Sequence, residues 1–467
     1  MAGIGFTLRK LARRDDLTGP VSGLAYAAFV TSGPWIITVA AIAAINLLAA
    51  RDTAGNELML VRTLIIYNFA FSLALTGPFS AVATRFLSDR IFDRDARQAP
   101  ASLIVSLAAS SLVQLPFVLV LYLGIAEISQ PLSALAIFNY FTVSAIWCAA
   151  VFLSALKDYR TVALAFIAGM AGGVFLADAL MREGAIGIFG GFAAGCALTL
   201  FILIARILAE YPYRLAGWSG LSGAFRRFGD LAIAGLAYNL AIWSDKWVMW
   251  FAPERILPAF NLPSYPLYDG AMFYAQLLLI PAMAVFVVSI ETLFYARYRN
   301  FYGDIQNHAP LKVIRANHAA IIAAVKGGAR TLVVLQLALA ALAILLSAVL
   351  AGPLAMHAEQ LGMFRFGALG AAFHGLFLFS TIVLAYLDLR RQVMWLYLLF
   401  LALNAGLTAL TIIPGFAWYG YGYFAASLVS FLAAATMMWR AVNNLAWLTF
   451  IGNNPAVRDT TRAHAAE

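Results

Sequence analysis

The sequence predicts an all-α integral membrane protein of about twelve spanning helices in two six-helix lobes. Three observations predict it. First, the 467-residue chain is 63% apolar and only 11% charged, with a mean hydropathy of +0.85. A soluble domain averages about 45–50% apolar and about 25% charged, and a soluble protein of this size could not hide so much apolar surface. The chain is equally too apolar to be disordered. Second, apolar runs of roughly 20 residues, the length that crosses a bilayer, recur along its whole length. Third, the basic residues fall overwhelmingly on one side of those runs.

Taken in order, residues 1–21 form a polar N-terminal segment with Arg9, Lys10, Arg13 and Arg14. The apolar run behind them, Gly23 to Ala50, is too long for a signal-peptide core and reads as a retained first span. The spans are 22–49, 61–84, 102–125, 132–156, 161–180, 185–206, 231–251, 269–293, 331–351, 366–388, 393–413 and 419–439. The breaks between them are polar or bear Pro or Gly, as in Ser129-Gln130-Pro131 and Pro212-Tyr213-Arg214. Spans five and six are separated only by Met181, Arg182, Glu183 and Gly184, which predicts a tight hairpin with Arg182-Glu183 at its tip. A connector at 207–230 divides an N-terminal lobe (22–206) from a C-terminal lobe (231–439), and residues 440–467 form a tail. Six plus six helices is the usual sign of a duplicated transporter fold. The longest loop is 294–330; on the opposite side the longest are 252–268 and 352–365.

Of the 31 basic residues, Arg51, Arg62, Arg182, Arg255, Arg365 and the in-span Lys246 stand apart; the other 25 share the side of the N-terminus. The positive-inside rule therefore puts both termini in the cytoplasm and favours an even number of spans. The net charge of +9 is accounted for by topology and is no nucleic-acid footprint. Cys148 and Cys196 both lie in apolar runs, so neither a disulfide scaffold nor a cysteine zinc site is expected. There is no Walker A motif. His308 and His318 lack acidic partners at metal spacing, and His357 stands alone. The residues argue against an enzyme, and no cofactor or metal is expected.

Within the spans, polar residues carry the information, because a charge at the centre of a span costs about 2.5–3.5 kcal/mol on insertion scales. Asp245-Lys246, flanked by Trp243 and Trp247, lies roughly 8–9 Å from the outer end of span seven. Adjacent residues do not face each other on a helix, so the two are not expected to form a self-contained ion pair. Either Lys246 snorkels outward beside an interfacial Trp belt, or Asp245 faces a cavity as an ion or substrate ligand. Arg62, Asp178 and His374 are further outer-half candidates; Glu291 sits near the inner end of span eight, where Arg297 or Arg299 could pair with it. The mid-depth amides Asn68, Asn139, Asn239, Gln276 and Asn404 either bond between helices or line a sugar-friendly path with the abundant aromatics. Gly33-Pro34, Gly77-Pro78 and Pro281 mark points where a helix could kink or gate.

The N-terminal stretch Met1-Ala2-Gly3-Ile4-Gly5-Phe6 with Leu8-Arg9-Lys10-Leu11, the TSGPWI stretch at 31–36 and WSDKW at 243–247 resemble the PelG family. So does the run from Tyr265 through Tyr268-Asp269 and Ile290-Glu291-Thr292 to Tyr298-Arg299-Asn300-Phe301-Tyr302. That family is the inner-membrane transport subunit of the bacterial Pel exopolysaccharide system, within the flippase-like superfamily of polysaccharide exporters, lipid II flippases and multidrug antiporters. The resemblance implies two six-helix lobes facing across a central cavity, and a growing polymer rich in N-acetylgalactosamine and galactosamine-type sugars as substrate. It implies a cytosolic glycosyltransferase, PelF, as polymer source, with PelD and PelE as membrane partners. A cationic polymer would suit an outer path holding Asp178 and Asp245, although Arg62 and Lys246 make that path less than purely acidic. Two rivals remain: a proton- or sodium-coupled flippase for small molecules or lipid-linked oligosaccharides, and a non-conducting membrane anchor of the synthase. The basic loop 294–330 and connector 207–230 fit a docking surface for cytosolic partners, and the positive-inside rule accounts for them equally well.

Overall fold

The computed structural model describes residues 18–49, 55–95, 97–156, 158–213, 219–354 and 356–452. Among them the protein is almost wholly helical, and the one strand-like pairing is an antiparallel bridge between Ile256 and Ser264. The helices are α1 (Thr18–Ala49), α2 (Gly55–Phe92), α3 (Ala99–Leu119), α4 (Gln130–Leu156), α5 (Tyr159–Ala179), α6 (Gly184–Glu210), α7 (Ser219–Arg227) and α8 (Gly229–Met249). They continue as α9 (Pro266–Gln276), α10 (Leu279–Val288), α11 (Tyr295–Gln306), α12 (Leu311–Leu350), α13 (Gln360–Tyr386), α14 (Arg390–Ile412) and α15 (Tyr421–Asn443). Among the described residues eleven helical segments are long and apolar enough to cross a membrane. The remaining span of the sequence reading is α8, 21 residues long but made polar by Asp245 and Lys246.

The expected single span 269–293 is interrupted. Helix α9 ends at Gln276, α10 starts at Leu279, and Pro281 is the cause. A proline has no N–H to give the carbonyl four residues back and its ring collides with that carbonyl, which here belongs to Leu277. The ladder shortens accordingly, with Ile280 N–H donating to Leu277 O at 3.1 Å. Gln336 of α12, fully buried, donates its Nε2 to the adjacent Leu278 carbonyl at 3.2 Å. A π-type turn, Ser289–Phe294, then leads into α11. By contrast α1 runs on through Gly33-Pro34 and α2 through Gly77-Pro78 without a break. At Gly77 the bare backbone serves close approach: a Cβ there would lie 2.6 Å from both Asn239 Nδ2 and Gly235 O of α8.

The hairpin expected between spans five and six is present, with a short turn at Met181–Glu183 and Gly184 at a φ of 62°. Small residues every fourth position let its arms touch. A Cβ on Gly191 would sit 2.2 Å from Ala177 N, and one on Gly173 would sit 3.1 Å from Gly195 Cα. This is the small-xxx-small pattern by which membrane helices pack closely. At the other end Asp158 caps α5 by accepting from Thr161 N–H at 3.2 Å, and takes Arg206 Nε of α6 at 2.7 Å. Burial pushes the Asp158 carboxyl up, but hydrogen bonds from Arg206 and Thr161 and the Arg206 charge outweigh it and hold it below the ordinary range.

The chain forms two compact units. One comprises Phe29–Asp269 with Phe400–Phe416; the other comprises Gly270–Leu399 with residues 18–28 and Ala417 to the end of the described chain. In the second unit α13 is the most enclosed span. Its Gly367 and Gly370 lie where a Cβ would press on Ala275 and Tyr423.

Candidate functional site

The Phe29–Asp269/Phe400–Phe416 unit holds a cluster of ionisable side chains built on the last two turns of α8. Asp245 is wholly buried and Lys246 is 5% exposed. Contrary to the expectation from adjacency, the two are paired: Lys246 Nζ lies 3.3 Å from Asp245 Oδ2. The lysine stem is long enough to fold back along the helix, so its ammonium also reaches Ile242 O at 3.3 Å and sits 5.6 Å from the centre of the Trp243 ring. It does not snorkel. Burial keeps it on the carboxylate, because an unpaired ammonium in this setting costs several kcal/mol.

Two more elements complete the shell of Asp245. Tyr268, at the start of α9, donates its hydroxyl to Asp245 Oδ2 at 3.2 Å. Asn404, on α14, donates Nδ2 to Asp245 Oδ1 at 3.3 Å and to Ala241 O at 2.8 Å. Beside them Asp269 Oδ2 accepts from Trp250 Nε1 at 2.9 Å, and Asp269 lies within electrostatic reach of both Asp245 and Lys246. Tyr67 of α2 stacks on Trp250 at 4.6 Å, and Phe71 stacks on Trp247 at 4.9 Å, so aromatic faces wall the cluster. Tyr67 is fixed in turn by donating its hydroxyl to Pro263 O at 2.6 Å.

The cluster is not saturated. Asp269 Oδ1, Asn404 Oδ1 and Thr408 Oγ1, the last one turn along α14 from Asn404, are buried with no hydrogen-bond partner, as is the Trp247 Nε1 donor. Buried polar groups are normally satisfied. Orphan acceptors and a donor beside stacked aromatics suit a ligand bearing many hydroxyl and amide groups against apolar ring faces. Among the described residues no group of three or more His, Cys, Asp or Glu could hold a metal ion. Both cysteines are free and buried.

The other candidates lie elsewhere. Asn68 is buried and fully used: it donates Nδ2 to Asn139 Oδ1 at 2.9 Å and to Ala136 O at 3.2 Å, and accepts from Tyr122 at 2.6 Å. It ties α2, α3's extension and α4 together. A second knot, Thr76, Ser144, Gln114 and Tyr140, likewise joins α2, α3 and α4. Asn239 donates to Leu73 O at 2.9 Å and thereby locks α8 onto α2 beside Gly77. Arg62 is exposed and donates to Asn46 Oδ1 at 2.6 Å; Asp178 is exposed at the end of α5. His374, in the second unit, is 2% exposed with its Nδ1 2.9 Å from the Tyr423 hydroxyl. Gln276 ends α9, directly before the break. The side chain of Glu291 lies outside the described residues. The sequence reading missed Tyr268, Asp269, Trp250, Tyr67 and Thr408 as members of the site. The one signal that could have found Asp269 is a carboxylate in the first turn of an apolar helix.

The comparisons agree with this architecture. Residues 1–450 match the family PelG, described as "Putative exopolysaccharide Exporter (EPS-E)". No curated protein sequence matches the chain. Among solved structures, a MOP superfamily transporter from Pyrococcus furiosus, for which reverse polarity of the binding pocket suggests a different function, is similar at a TM-score of 0.61 and 15% identity, over 89% of this chain and 96% of that one. A MATE in the bent conformation gives a TM-score of 0.61 at 14% identity over 95% and 99% of the two chains. The inward-facing conformation of a multidrug resistance MATE transporter of the MOP superfamily gives 0.58 at 13% over 94% and 99%. The fold is therefore that of the MATE/MOP transporters, and the match along nearly the whole chain settles the family: the chain belongs to PelG, the exopolysaccharide exporters.

Proposed function

We propose, on the premise of that membership, that the chain moves a Pel-type amino-sugar polymer across the bacterial inner membrane, with both termini in the cytoplasm. The polymer comes from a cytosolic glycosyltransferase of the PelF kind, and PelD and PelE are the membrane partners. The observation that carries the reading is the Asp245–Lys246 pair with its orphan acceptors. The chain sets the wholly buried Asp245 and the buried Lys246 side by side, with Asp269 within electrostatic reach. Such groups in a membrane protein mark a substrate or ion path. The stacked pairs Tyr67/Trp250 and Phe71/Trp247 surround the cluster with aromatic side chains. The exporter itself does no covalent chemistry, so its residues act by binding and release.

The experiment is complementation. Cells lacking the exporter receive the parent chain, Asp245→Ala or Lys246→Ala, and are scored for surface polymer, membrane level and co-purification of partners. Lost polymer with normal level and retained partners supports a path through the cluster. Polymer at the parental amount removes the cluster from the path; loss of partners together with polymer supports an anchoring role instead.

A further inference from the structure

We propose that residues 252–265 form a hinged flap at the outer end of the Asp245 cluster, that Tyr67 latches it, and that it lifts to release the exported chain. The inference rests on the function and sidedness proposed above and adds the element that opens the path.

The segment is built to move as one piece. It joins the two helices that carry the cluster, α8 ending at Met249 and α9 beginning at Pro266. Pro253, Pro258 and Pro263 lie within it and Pro266 follows it, and each ring fixes its own φ. Ile256 and Ser264 close the segment on itself through two backbone hydrogen bonds of 2.8 and 3.0 Å. Between them the chain reverses at Pro258–Asn261, where Asn261 N–H donates to Pro258 O at 2.9 Å and Asn261 has a φ of 55°. The returning arm alternates: Phe260, Leu262 and Ser264 are buried, while Ala259 and Asn261 are exposed. That is the pattern of an extended strand with one face turned inward. The outgoing arm, Pro253 to Leu257, is exposed throughout.

Three hydrogen bonds tie the flap to neighbouring elements of its own unit. Tyr67 of α2 donates its hydroxyl to Pro263 O at 2.6 Å. Asn261 donates Nδ2 to Ile125 O at 3.2 Å, at the end of the π-type turn that extends α3. Glu127, in the turn between α3 and α4, donates its N–H to Phe260 O at 3.1 Å. All three join neutral groups, and neutral hydrogen bonds are about half as strong as charge-assisted ones. Each can break without stranding a charge.

The Tyr67 tie is the one that reaches the cluster. Its ring stacks on Trp250 at 4.6 Å, and Trp250 Nε1 donates to Asp269 Oδ2 at 2.9 Å. Flap, latch and carboxylate are therefore joined by consecutive contacts. At the other end of the flap, Tyr268 donates to Asp245 Oδ2 at 3.2 Å. Residues at the ends of elements absorb the turn when a loop opens or closes. Here those ends carry Trp250 and Tyr268, so lifting the flap also moves a donor away from each carboxylate. Ser264 Oγ, on the buried face, has no hydrogen-bond partner. A buried hydroxyl left unsatisfied is costly, and lifting the flap gives it water.

The test has two arms. The first reads opening without export. The full chain carrying Ser264→Cys is placed in nanodiscs, where both membrane faces are accessible, and labelled with a water-soluble maleimide; the two native cysteines are buried. Tyr67→Phe is then added, which removes the latching hydroxyl and keeps the ring on Trp250. The expected result is slow labelling that becomes about fivefold faster with Tyr67→Phe, the weight of one neutral hydrogen bond. Labelling as fast as at the exposed Glu254→Cys, or a rate that Tyr67→Phe leaves unchanged, overturns the latched flap. The second arm reads export. Glu127→Cys/Asn261→Cys, both at exposed positions, is joined in cells by a thiol-cleavable bismethanethiosulfonate, with each single variant as control. The expected result is surface polymer reduced about tenfold or more in the joined chain alone, as for any lid held shut, and restored by reductant. Parental polymer from a fully joined chain removes the flap from the path and leaves the proposed function standing. If the parent exports no polymer, the proposed function fails, and the labelling arm still decides whether the flap opens.

Discussion

Asp245 is wholly buried. Its two oxygens are held by Lys246, Tyr268 and Asn404 at 3.2–3.4 Å, so each partner answers for part of a large desolvation cost. Removing one member of a buried pair costs about 3–5 kcal/mol because the other is left uncompensated, whereas removing both is often neutral. Asp245→Asn and Lys246→Met should each lower the thermal unfolding temperature in detergent, and the double variant should recover most of the loss. Additive losses would show that the pair is not coupled. Asp158 gives a pH test at the other end of the scale. Its folded-state pKa is depressed below the ordinary 3.8, so its contribution is complete above that value and is lost as pH falls through the depressed one. Asp158→Ala should cost about 0.5–2 kcal/mol as a lost helix cap, with little more from the half-exposed Arg206. The difference from the parent should be constant from pH 6 to 8 and shrink below pH 4; a difference that grows in acid would contradict this. At this scale the sequence pointed to Asp245 and Lys246, since charges stand out in apolar runs. It could not show their pairing, which depends on a lysine stem bending back, nor Tyr67 and Thr408, which look like any other span residues until the helices are assembled.

Among the elements, the α5–α6 hairpin was legible because four residues between two apolar runs allow no other connection. Its tightness comes from Gly173, Gly191 and Gly195, whose missing side chains are filled by backbone. Gly191→Leu should therefore force the arms apart, costing more than the 1–3 kcal/mol or so of ordinary overpacking. Reduced membrane yield and a lower unfolding temperature would be seen; parental stability would mean the arms are not packed as described. The break between α9 and α10 was less legible. Pro281 signalled a kink but not its setting: beside the break Gln336 of α12 donates to the Leu278 carbonyl, a contact between residues 58 apart.

For the whole molecule, composition and the one-sided distribution of basic residues already define a polytopic protein, because those properties sum over every span and tolerate errors at any boundary. The two native cysteines are buried, so a membrane-impermeant maleimide has a clean background. Glu254→Cys and Gly352→Cys should label in cells with a permeabilised outer membrane. Ser222→Cys and Gln306→Cys should label only after lysis. The reverse pattern would invert the proposed topology. A function could not be read from the sum in the same way: it rests on one cluster and on family membership.

The central claim is that the charged cluster lies on the export path, and the most direct measurement is surface polymer in cells carrying Asp245→Asn/Lys246→Met as the sole exporter. The double variant removes both charges without leaving either unpaired, so instability does not confuse the result. The account predicts normal membrane level with surface polymer reduced at least about tenfold, the effect of losing roughly 1.4 kcal/mol at the site. Polymer at the parental amount from a normally abundant double variant would contradict it.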